Sequence, residues 1–302
     1  MGVLALAFCA AAVVKYWGEF TGYHAELSVG MLIAGLAVML AGALSKAAGW
    51  FVLMKSLGNP IGFLTALRSW SYSQIASFIP GKVPVLVVRI ETCAEDGAAP
   101  DIVFAGTVLE IIISMVSTLS IWLLSLLFVP VSDNVSPALY LIPLILLAVS
   151  LHPRFILAIM GFYYRLRGVA KDLEMPHITP ASILKPGILY FLGWLLSGFG
   201  GYFILKSVVT NFPVPWSLSI CVVGAFAFAW VVGYLFFISP GGLGAREGAL
   251  IWALAPYTPL GVAVVFSVLV RLCQVSLGLS FAALWWLVYH VQKGSTVNRR
   301  KN

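Results

Sequence analysis

The chain has 302 residues, of which 61% are hydrophobic and 10% are charged, and its mean hydropathy is +1.01. A soluble domain carries about 25% charged residues, so this chain has too few polar side chains to cover a water-soluble globule. The composition indicates a polytopic membrane protein and leaves no segment for a soluble catalytic domain. At roughly 20 apolar residues per helical crossing, the length accommodates about seven or eight crossings.

The chain carries 18 Lys and Arg residues against 11 Asp and Glu residues, a formal net charge of +7 at pH 7. In a membrane protein such an excess is first a signal of orientation and second a hint of anionic ligands, and nucleic acid is not an expected partner. The four cysteines show no C-x-x-C spacing, and the four histidines lie at the ends of apolar runs or in loops. We therefore expect no metal site and no cofactor.

Six long apolar runs follow a short apolar stretch at the N-terminus. They lack the alternating period of a lipid-facing β-strand, so helices are expected throughout. We predict an all-α polytopic bundle, a single integral membrane domain over residues 1–302, with a first half near 1–151 and a second half over 187–290. The long runs are Ser28–Met54, Ile102–Val129, Ala138–Leu151, Gly187–Val208, Ser217–Ile238 and Gly261–His290.

Basic residues predict the orientation of the bundle. The loop over residues 152–186 and the tail over 291–302 are both rich in Lys and Arg. We therefore place both segments, and both termini, on the cytoplasmic side of the cytoplasmic (inner) membrane. Three long runs separate the loop from the tail, and this odd number would put the tail outside. We accordingly expect residues 240–256 to cross the membrane as a broken helix.

Two segments, 60–100 and 239–258, are apolar but interrupted by Pro, Gly and charge, a pattern tolerated at membrane depth only inside protein or along a cavity. The sequences FIPGK at 78–82 and FISPGG at 237–242 are each followed by an Arg and a Glu. We interpret the two segments as a degenerate internal repeat of re-entrant-like elements. In this interpretation each Pro-Gly starts a half-helix whose N-terminal amides face an anion. The alternative is a pair of interfacial loops.

Charges inside a membrane are costly and normally face a partner or a polar cavity. Glu110 lies about 13 Å inside its run by helical rise, and Arg271 is also deep in a run, so we expect both to be functional or paired, most simply with each other. Arg246, beside the glycine-rich turn, is the best candidate for a contact with a lipid phosphate. We interpret Lys46 as a snorkelling anchor and Arg68 as part of an interfacial amphipathic stretch.

The motif IPGKV at 79–83, with Arg89 and Glu110 downstream, and the motif SPGGLGAREG at 239–248 resemble the lysylphosphatidylglycerol synthase transmembrane domain family. The resemblance implies a membrane domain that moves modified phospholipids between leaflets, and relatives accompany polyprenyl-linked sugar pathways. Some members carry a fused synthase or glycosyltransferase; these 302 residues contain neither, so we expect no synthetic activity. The candidate substrate-binding residues are Arg246, Glu247, Lys82, Arg89, Glu110, Arg271, Pro80, Gly81, Pro240, Gly241, Gly242 and Gly244.

We predict a lipid flippase or transporter, not an enzyme, whose substrate is an aminoacyl-phospholipid or a polyprenyl-phosphate-linked sugar. The expected partner is a membrane lipid with an anionic or zwitterionic head group, and a separate synthase or glycosyltransferase is a candidate second partner. Two alternatives stay open: a non-catalytic subunit of such an enzyme, and a membrane-embedded lipid-modifying enzyme. The enzyme is disfavoured because Glu95 and Asp96 are the only adjacent acids and no histidine has an Asp five positions later.

Overall fold

The computed structural model describes residues 2–23, 27–59, 61–79, 83–128, 180–209, 215–236 and 239–299, and its regular elements in these ranges are helices. The run predicted over Ala138–Leu151, the basic loop as far as residue 179, and the turn at 80–82 lie outside the described residues. The helices are α1 (Gly2–Tyr23), α2 (Val29–Ser56), α3 (Phe63–Ala76), α4 (Val83–Ala94), α5 (Pro100–Phe128), α6 (Pro180–Val208), α7 (Trp216–Leu235), α8 (Ala245–Leu254) and α9 (Leu260–Arg299), with a 3-10 turn over Pro240–Gly242.

Five of the described helices, α2, α5, α6, α7 and α9, are long and apolar enough to cross a membrane. Each coincides with one of the predicted apolar runs, so the expectation of an all-α membrane protein is confirmed. The total of seven or eight crossings stays a prediction. Two boundaries differ from those expected: α6 begins at Pro180, inside the predicted loop over 152–186, and α9 continues through the predicted basic tail to Arg299.

Helices α2 and α6 run antiparallel and approach each other closely. A Cβ atom built on Gly42 would lie 2.7 Å from the carbonyl oxygen of Gly193, and one on Gly35 would lie 2.8 Å from that of Gly200. The Ser45 hydroxyl donates a hydrogen bond to a carbonyl on α6 at 2.8 Å. Glycine at the crossing therefore lets the two backbones come into contact. In lipid, where the solvent is as apolar as the side chains, such close packing is what holds helices together.

Helices α3 and α4 form a hairpin that is closed at its base by two polar contacts. The Gly62 amide donates to the Asp96 carboxylate at 2.6 Å, and Arg68 pairs with Glu95 at 2.5 Å. Arg68 also lies over the ring of Tyr289 on α9, at 4.0 Å. Arg68 is buried against α4 and α9, and its predicted position at the membrane interface stays a prediction.

Helices α7 and α8 form a second hairpin. Arg246 near the start of α8 packs on Gly233 near the end of α7, and the rings of Trp252 and Phe228 lie 5.6 Å apart further along, so α8 returns antiparallel beside α7. Ten residues of helix rise about 15 Å, half of a hydrocarbon core of about 30 Å. The prediction that residues 240–256 cross the membrane is therefore wrong: α8 goes back towards the end where α7 began.

Candidate functional site

The tips of the two hairpins meet inside the bundle. The Gly241 amide donates a hydrogen bond to the Ser77 carbonyl at 3.0 Å, and the Gly241 carbonyl accepts one from the Arg271 guanidinium at 2.6 Å. The guanidinium carbon of Arg271 lies 5.4 Å from the centre of the Phe78 ring. One arginine on α9 therefore bridges the ends of both interrupted segments.

This meeting point lies deep in the long helices. Trp194, which is next to it, is the middle residue of α6. Arg271 follows Leu260, the first residue of α9, by eleven positions, which corresponds to about 17 Å of helical rise. Both helices thus place the hairpin tips near the middle of the bundle, where a polar group is remote from water at either end.

Three glycines make the second tip possible. Gly241, Gly242 and Gly244 have φ angles of 59°, 73° and 82°, in the left-handed region that side chains with a Cβ avoid. A Cβ on Gly242 would lie 2.6 Å from the carbonyl oxygen of Gly233. The Pro-Gly-Gly-x-Gly pattern thus serves both to turn the chain after Pro240 and to seat the turn against α7.

Glu247 closes the first turn of α8. Its carboxylate accepts a hydrogen bond from the Gly244 amide at 2.6 Å, and its Oε1 lies 3.6 Å from Nε of Arg271. The glutamate is buried. The anion at this helix N-terminus is therefore a side chain of the same helix, which differs from the expectation that the amides face an external ligand.

Arg246 packs against α7. Its aliphatic stem covers Gly233, where any side chain would overlap it. Its Nε is buried and has no hydrogen-bond partner within the described ranges. The guanidinium instead lines a cavity, where it is available to a ligand.

The cavity has a volume of about 140 Å³ and lies at the hairpin tips between α2, α3, α6, α7, α8 and α9. Its walls combine cations, indole rings and amides. Among the described residues that line it there is no Asp or Glu. The charged and polar members of the wall include Lys46, Arg246, Arg271, Gln74, Gln274 and Ser197, and three tryptophans, Trp70, Trp194 and Trp230, complete it.

Lys46 lines the cavity, although its sequence position suggests only an anchor at the membrane surface. Its Nζ donates to the Ser197 hydroxyl at 3.1 Å and lies 3.9 Å from the ring centre of Trp194. Lys46 precedes the last residue of α2, Ser56, by ten positions, about 15 Å of helical rise. The interpretation as a snorkelling anchor is wrong, because the amine points into the cavity. The depth argument applied to Glu110 would have identified it.

Arg89 and Glu110 form a separate cluster. One carboxylate oxygen of Glu110 pairs with the Arg89 guanidinium, and the other accepts a hydrogen bond from Nε1 of Trp70 at 3.2 Å. The guanidinium of Arg89 also lies 4.2 Å from the ring centre of Trp50. The expected pairing of Glu110 with Arg271 is wrong, because Arg271 lies beside Glu247 instead.

The remaining candidates divide between the described and undescribed parts of the chain. Pro80, Gly81 and Lys82 lie outside the described residues, so their predicted roles stay predictions. Pro240 begins the 3-10 turn. Within the part of the chain that is described, no group of three His, Cys, Asp or Glu side chains is placed to hold a metal ion.

These features define an all-helical integral membrane protein with a cation-lined cavity where two helical hairpins meet. The chain belongs to the family described as the lysylphosphatidylglycerol synthase TM region, whose profile matches residues 2–282. The resemblance carried by the two Pro-Gly motifs is thereby confirmed over most of the chain. A comparison with curated proteins finds no match. The family supports a function connected with membrane lipids.

Proposed function

We propose that this protein moves a phosphate-bearing lipid between the two leaflets of the cytoplasmic membrane. The observation that carries the proposal is the cavity at the hairpin tips, where Lys46, Arg246 and Arg271 converge in the middle of the bundle. Of these three cations, Arg271 is the one with an ion pair in the described structure, to Glu247. The site therefore holds excess positive charge at a depth where an unpaired cation costs roughly 2.5–3.5 kcal/mol. A lipid phosphate would neutralise part of it.

The two hairpins support this proposal as re-entrant elements of an internal repeat. A long helix, a hairpin and a second long helix occur in the order α2–α5 and again in the order α6–α9. The base of the first hairpin lies beside Tyr289 near the end of α9, whereas Trp216 at the base of the second lies 5.7 Å from the ring of Tyr202 near the end of α6. In our proposal the hairpins enter from opposite faces, and their tips separate two half-channels.

Movement of a lipid would follow from this arrangement. The head group enters from one face and binds the cations, while its acyl or prenyl chains stay in the bilayer. The hydrogen bond from Gly241 to Ser77 closes the other face. A shift of one tip against the other would break this contact and expose the phosphate to the opposite leaflet. Arg246 and Lys46 contact the substrate in this scheme, and Arg271 couples the substrate to the tip through the Gly241 carbonyl.

The orientation follows from the charge distribution. We propose that both termini and residues 152–186 face the cytoplasm, because basic loops stay on that side. The return of α8 beside α7 places the start of α9 at the same end as the start of α7, so that a single crossing by α9 brings the tail inside. A separate synthase or glycosyltransferase would supply the lipid on the cytoplasmic side.

The test is a transport assay with the purified full chain in liposomes. Phosphate-bearing lipids with labelled head groups are reconstituted, and accessibility of the head group to an impermeant reagent is followed with time. We expect movement above empty liposomes, its loss in Arg246→Ala, and partial recovery in Arg246→Lys, which cannot make bidentate phosphate contacts. Lys206→Ala is the matched control, because Lys206 lies in the last turn of α6 and does not line the cavity.

Two outcomes would count against the proposal. Rates equal to empty liposomes for phospholipids and polyprenyl phosphates alike would discard transport and favour the role of a non-catalytic enzyme subunit. Full activity in Arg246→Ala with a folded protein would discard this cavity as the substrate site.

A further inference from the structure

The cavity at the hairpin tips is too small to hold a whole lipid. Its volume is about 140 Å³, and a buried water needs roughly 10–15 Å³ of such volume, so a phosphate and its nearest atoms fill the space. The hydrocarbon chains stay in lipid, because moving each methylene group from lipid into a polar site costs free energy. A lipid bound at Arg246 therefore needs an opening in the cavity wall through which its chains reach the bilayer.

The wall opens to the outside of the bundle between α3 and α9. Leu279 on α9 lines the cavity and is nevertheless 50% exposed. Gly278 also lines the cavity, and a Cβ built on it would meet no described atom within 4 Å. Gln74 on α3 belongs to the same wall and is partly exposed. These residues contribute both to the wall of the polar cavity and to the lipid-facing surface, so they surround a lateral opening.

Contacts between α3 and α9 bound this opening at two levels. Towards the hairpin tips, the guanidinium carbon of Arg271 lies 5.4 Å from the ring centre of Phe78. Towards the base of the first hairpin, the rings of Trp70 and Phe281 lie 6.5 Å apart. Gly278 lies between these two levels along α9. The opening consequently faces the leaflet at the base of the first hairpin, which is the cytoplasmic leaflet in the proposed orientation.

The corresponding interface of the second repeat is closed. In the order of the repeat, α7 corresponds to α3 and α5 corresponds to α9. The rings of Trp122 on α5 and Phe228 on α7 stack with their centres 4.4 Å apart. A Cβ built on Gly224 of α7 would lie 2.6 Å from the Cβ of Ser125 on α5. Helices α5 and α7 are thus in direct contact where they would have to part to admit a chain.

Matching positions of the two repeats show the same difference. Thr118 follows the proline of the first Pro-Gly by 38 positions, and Gly278 follows the proline of the second by the same number. Thr118 is completely buried, whereas Gly278 is partly exposed. In transporters built from inverted repeats, the repeats exchange such arrangements when access to the site changes side.

We infer that the hydrocarbon chains of the substrate leave the cavity between α3 and α9 at Gly278. The structure is then the state open to the leaflet beside the first hairpin, and separation of α5 from α7 opens the same cavity to the opposite leaflet. The inference rests on the proposed transport function and deepens it, because it assigns the path of the chains and the helices that part. Acyl and prenyl chains share this chemistry, and the two arms of the test distinguish them.

The first test locates the chains by photo-crosslinking of the full chain in liposomes. A photoreactive benzoylphenylalanine replaces Leu279 or, as the control, Leu272, which is 59% exposed on α9 and does not line the cavity. One arm offers phosphatidylglycerol and diacylglycerol with the same chains in equal amounts, and the other offers a polyprenyl phosphate and its parent alcohol. Bulk lipid labels both positions alike. At position 279 alone, we expect about tenfold enrichment of a phosphate-bearing lipid, the preference that one charge-assisted hydrogen bond supplies, and its loss in Arg246→Ala.

The second test blocks the opening. Gly278→Trp should reduce transport to the rate of empty liposomes, because the added ring occupies the path of the chains. Gly187→Trp on α6 is the matched control, since a Cβ there also meets no described atom within 4 Å and Gly187 does not line the cavity. Both variants remove a glycine from a helix, so helix propensity affects them alike. If Gly278→Trp does not fold, Gly278→Leu takes its place.

The third test holds the closed interface shut. Ser125→Cys with Gly224→Cys, in a chain whose native cysteines are replaced, joins α5 to α7 by a disulfide, whose formation is followed by the loss of free thiols. The oxidised protein should keep the enrichment at position 279 and lose transport, and reduction should restore transport.

The outcomes separate this inference from the proposed function. If the wild type moves lipid but position 279 shows no enrichment in either arm, or if a folded Gly278→Trp transports at the wild-type rate, the assigned path of the chains is wrong and transport stands. Full transport by the oxidised cysteine pair would overturn the role of α5 and α7. Absence of both movement and enrichment in the wild type would overturn transport itself.

Discussion

Ser77 and Gly241 belong to hairpins more than 160 positions apart in the chain, yet the amide of one donates to the carbonyl of the other at 3.0 Å. The contact is between backbone groups. Gly241 also presents its carbonyl to Arg271. A cation of the cavity is thereby joined to the contact between the tips, and in the proposed transport mechanism this joins occupancy of the cavity to the position of both hairpins.

The glycine turn gives a first prediction. Gly242→Ala should abolish transport and destabilise the protein by about 1–3 kcal/mol, because residue 242 has a positive φ and its Cβ would press on Gly233. Gly248→Ala is the matched control: Gly248 is on α8 in the same motif, and a Cβ there meets nothing within 4 Å. We expect the control to keep transport and to gain up to about 1 kcal/mol from helix propensity. Transport at the wild-type rate in Gly242→Ala would contradict this role of the turn.

The Arg89–Glu110 pair gives a second prediction. Glu110→Gln should destabilise the protein by about 3–5 kcal/mol, because a buried guanidinium is left without its carboxylate. Replacing both residues, as Arg89→Met with Glu110→Met, should recover most of that loss, because no unpaired charge is then left in the interior. Unfolding of the purified variants in a fixed detergent measures both values.

Glu91→Gln is the control for this experiment, because Glu91 is exposed on α4. A surface substitution of this kind changes stability by less than about 0.5 kcal/mol. If the double variant is stable but does not transport lipid, the pair contributes to function and not only to structure.

The positions of the membrane helices were predictable because long apolar runs have no alternative in lipid. The glycine motif was predictable for a similar reason: three glycines within five residues mark a turn that tolerates no side chain, and Arg246 and Arg271 do lie beside it. Hydropathy also indicated that the segments 60–100 and 239–258 differ from ordinary crossings: the first folds as the α3–α4 hairpin, and the second as the 3-10 turn and the short helix α8.

The pairing of the charges was not predictable from the same signals. Which carboxylate meets which guanidinium depends on the face that each helix turns inward. In a membrane bundle the face towards lipid is as apolar as the face towards the core, so the sequence carries little periodicity to distinguish them. Depth in the membrane therefore could not show that the partner of Glu110 is Arg89 and not Arg271.

The close crossing of α2 and α6 gives a third prediction. Gly42→Ala should destabilise the protein by about 1–3 kcal/mol, because its Cβ would lie 2.7 Å from the Gly193 carbonyl oxygen and force the helices apart. Gly30→Ala on the same helix is the control, since a Cβ there meets nothing within 4 Å. Thermal unfolding in detergent compares the two variants, and equal midpoints would show that the contact does not limit stability.

The proposed entry of the two hairpins from opposite faces gives the last prediction, which is tested by cysteine labelling in cells. Phe63 begins α3 and Trp216 begins α7, and both side chains are exposed at the bases of their hairpins. In a variant whose native cysteines are replaced, Trp216→Cys should react with an impermeant reagent added to intact cells. Phe63→Cys should react only after the membrane is made permeable, because basic segments place its end of the bundle in the cytoplasm. Labelling of both positions from the same side would show that the hairpins do not enter from opposite faces, and labelling with the sides exchanged would keep the repeat but reverse its orientation.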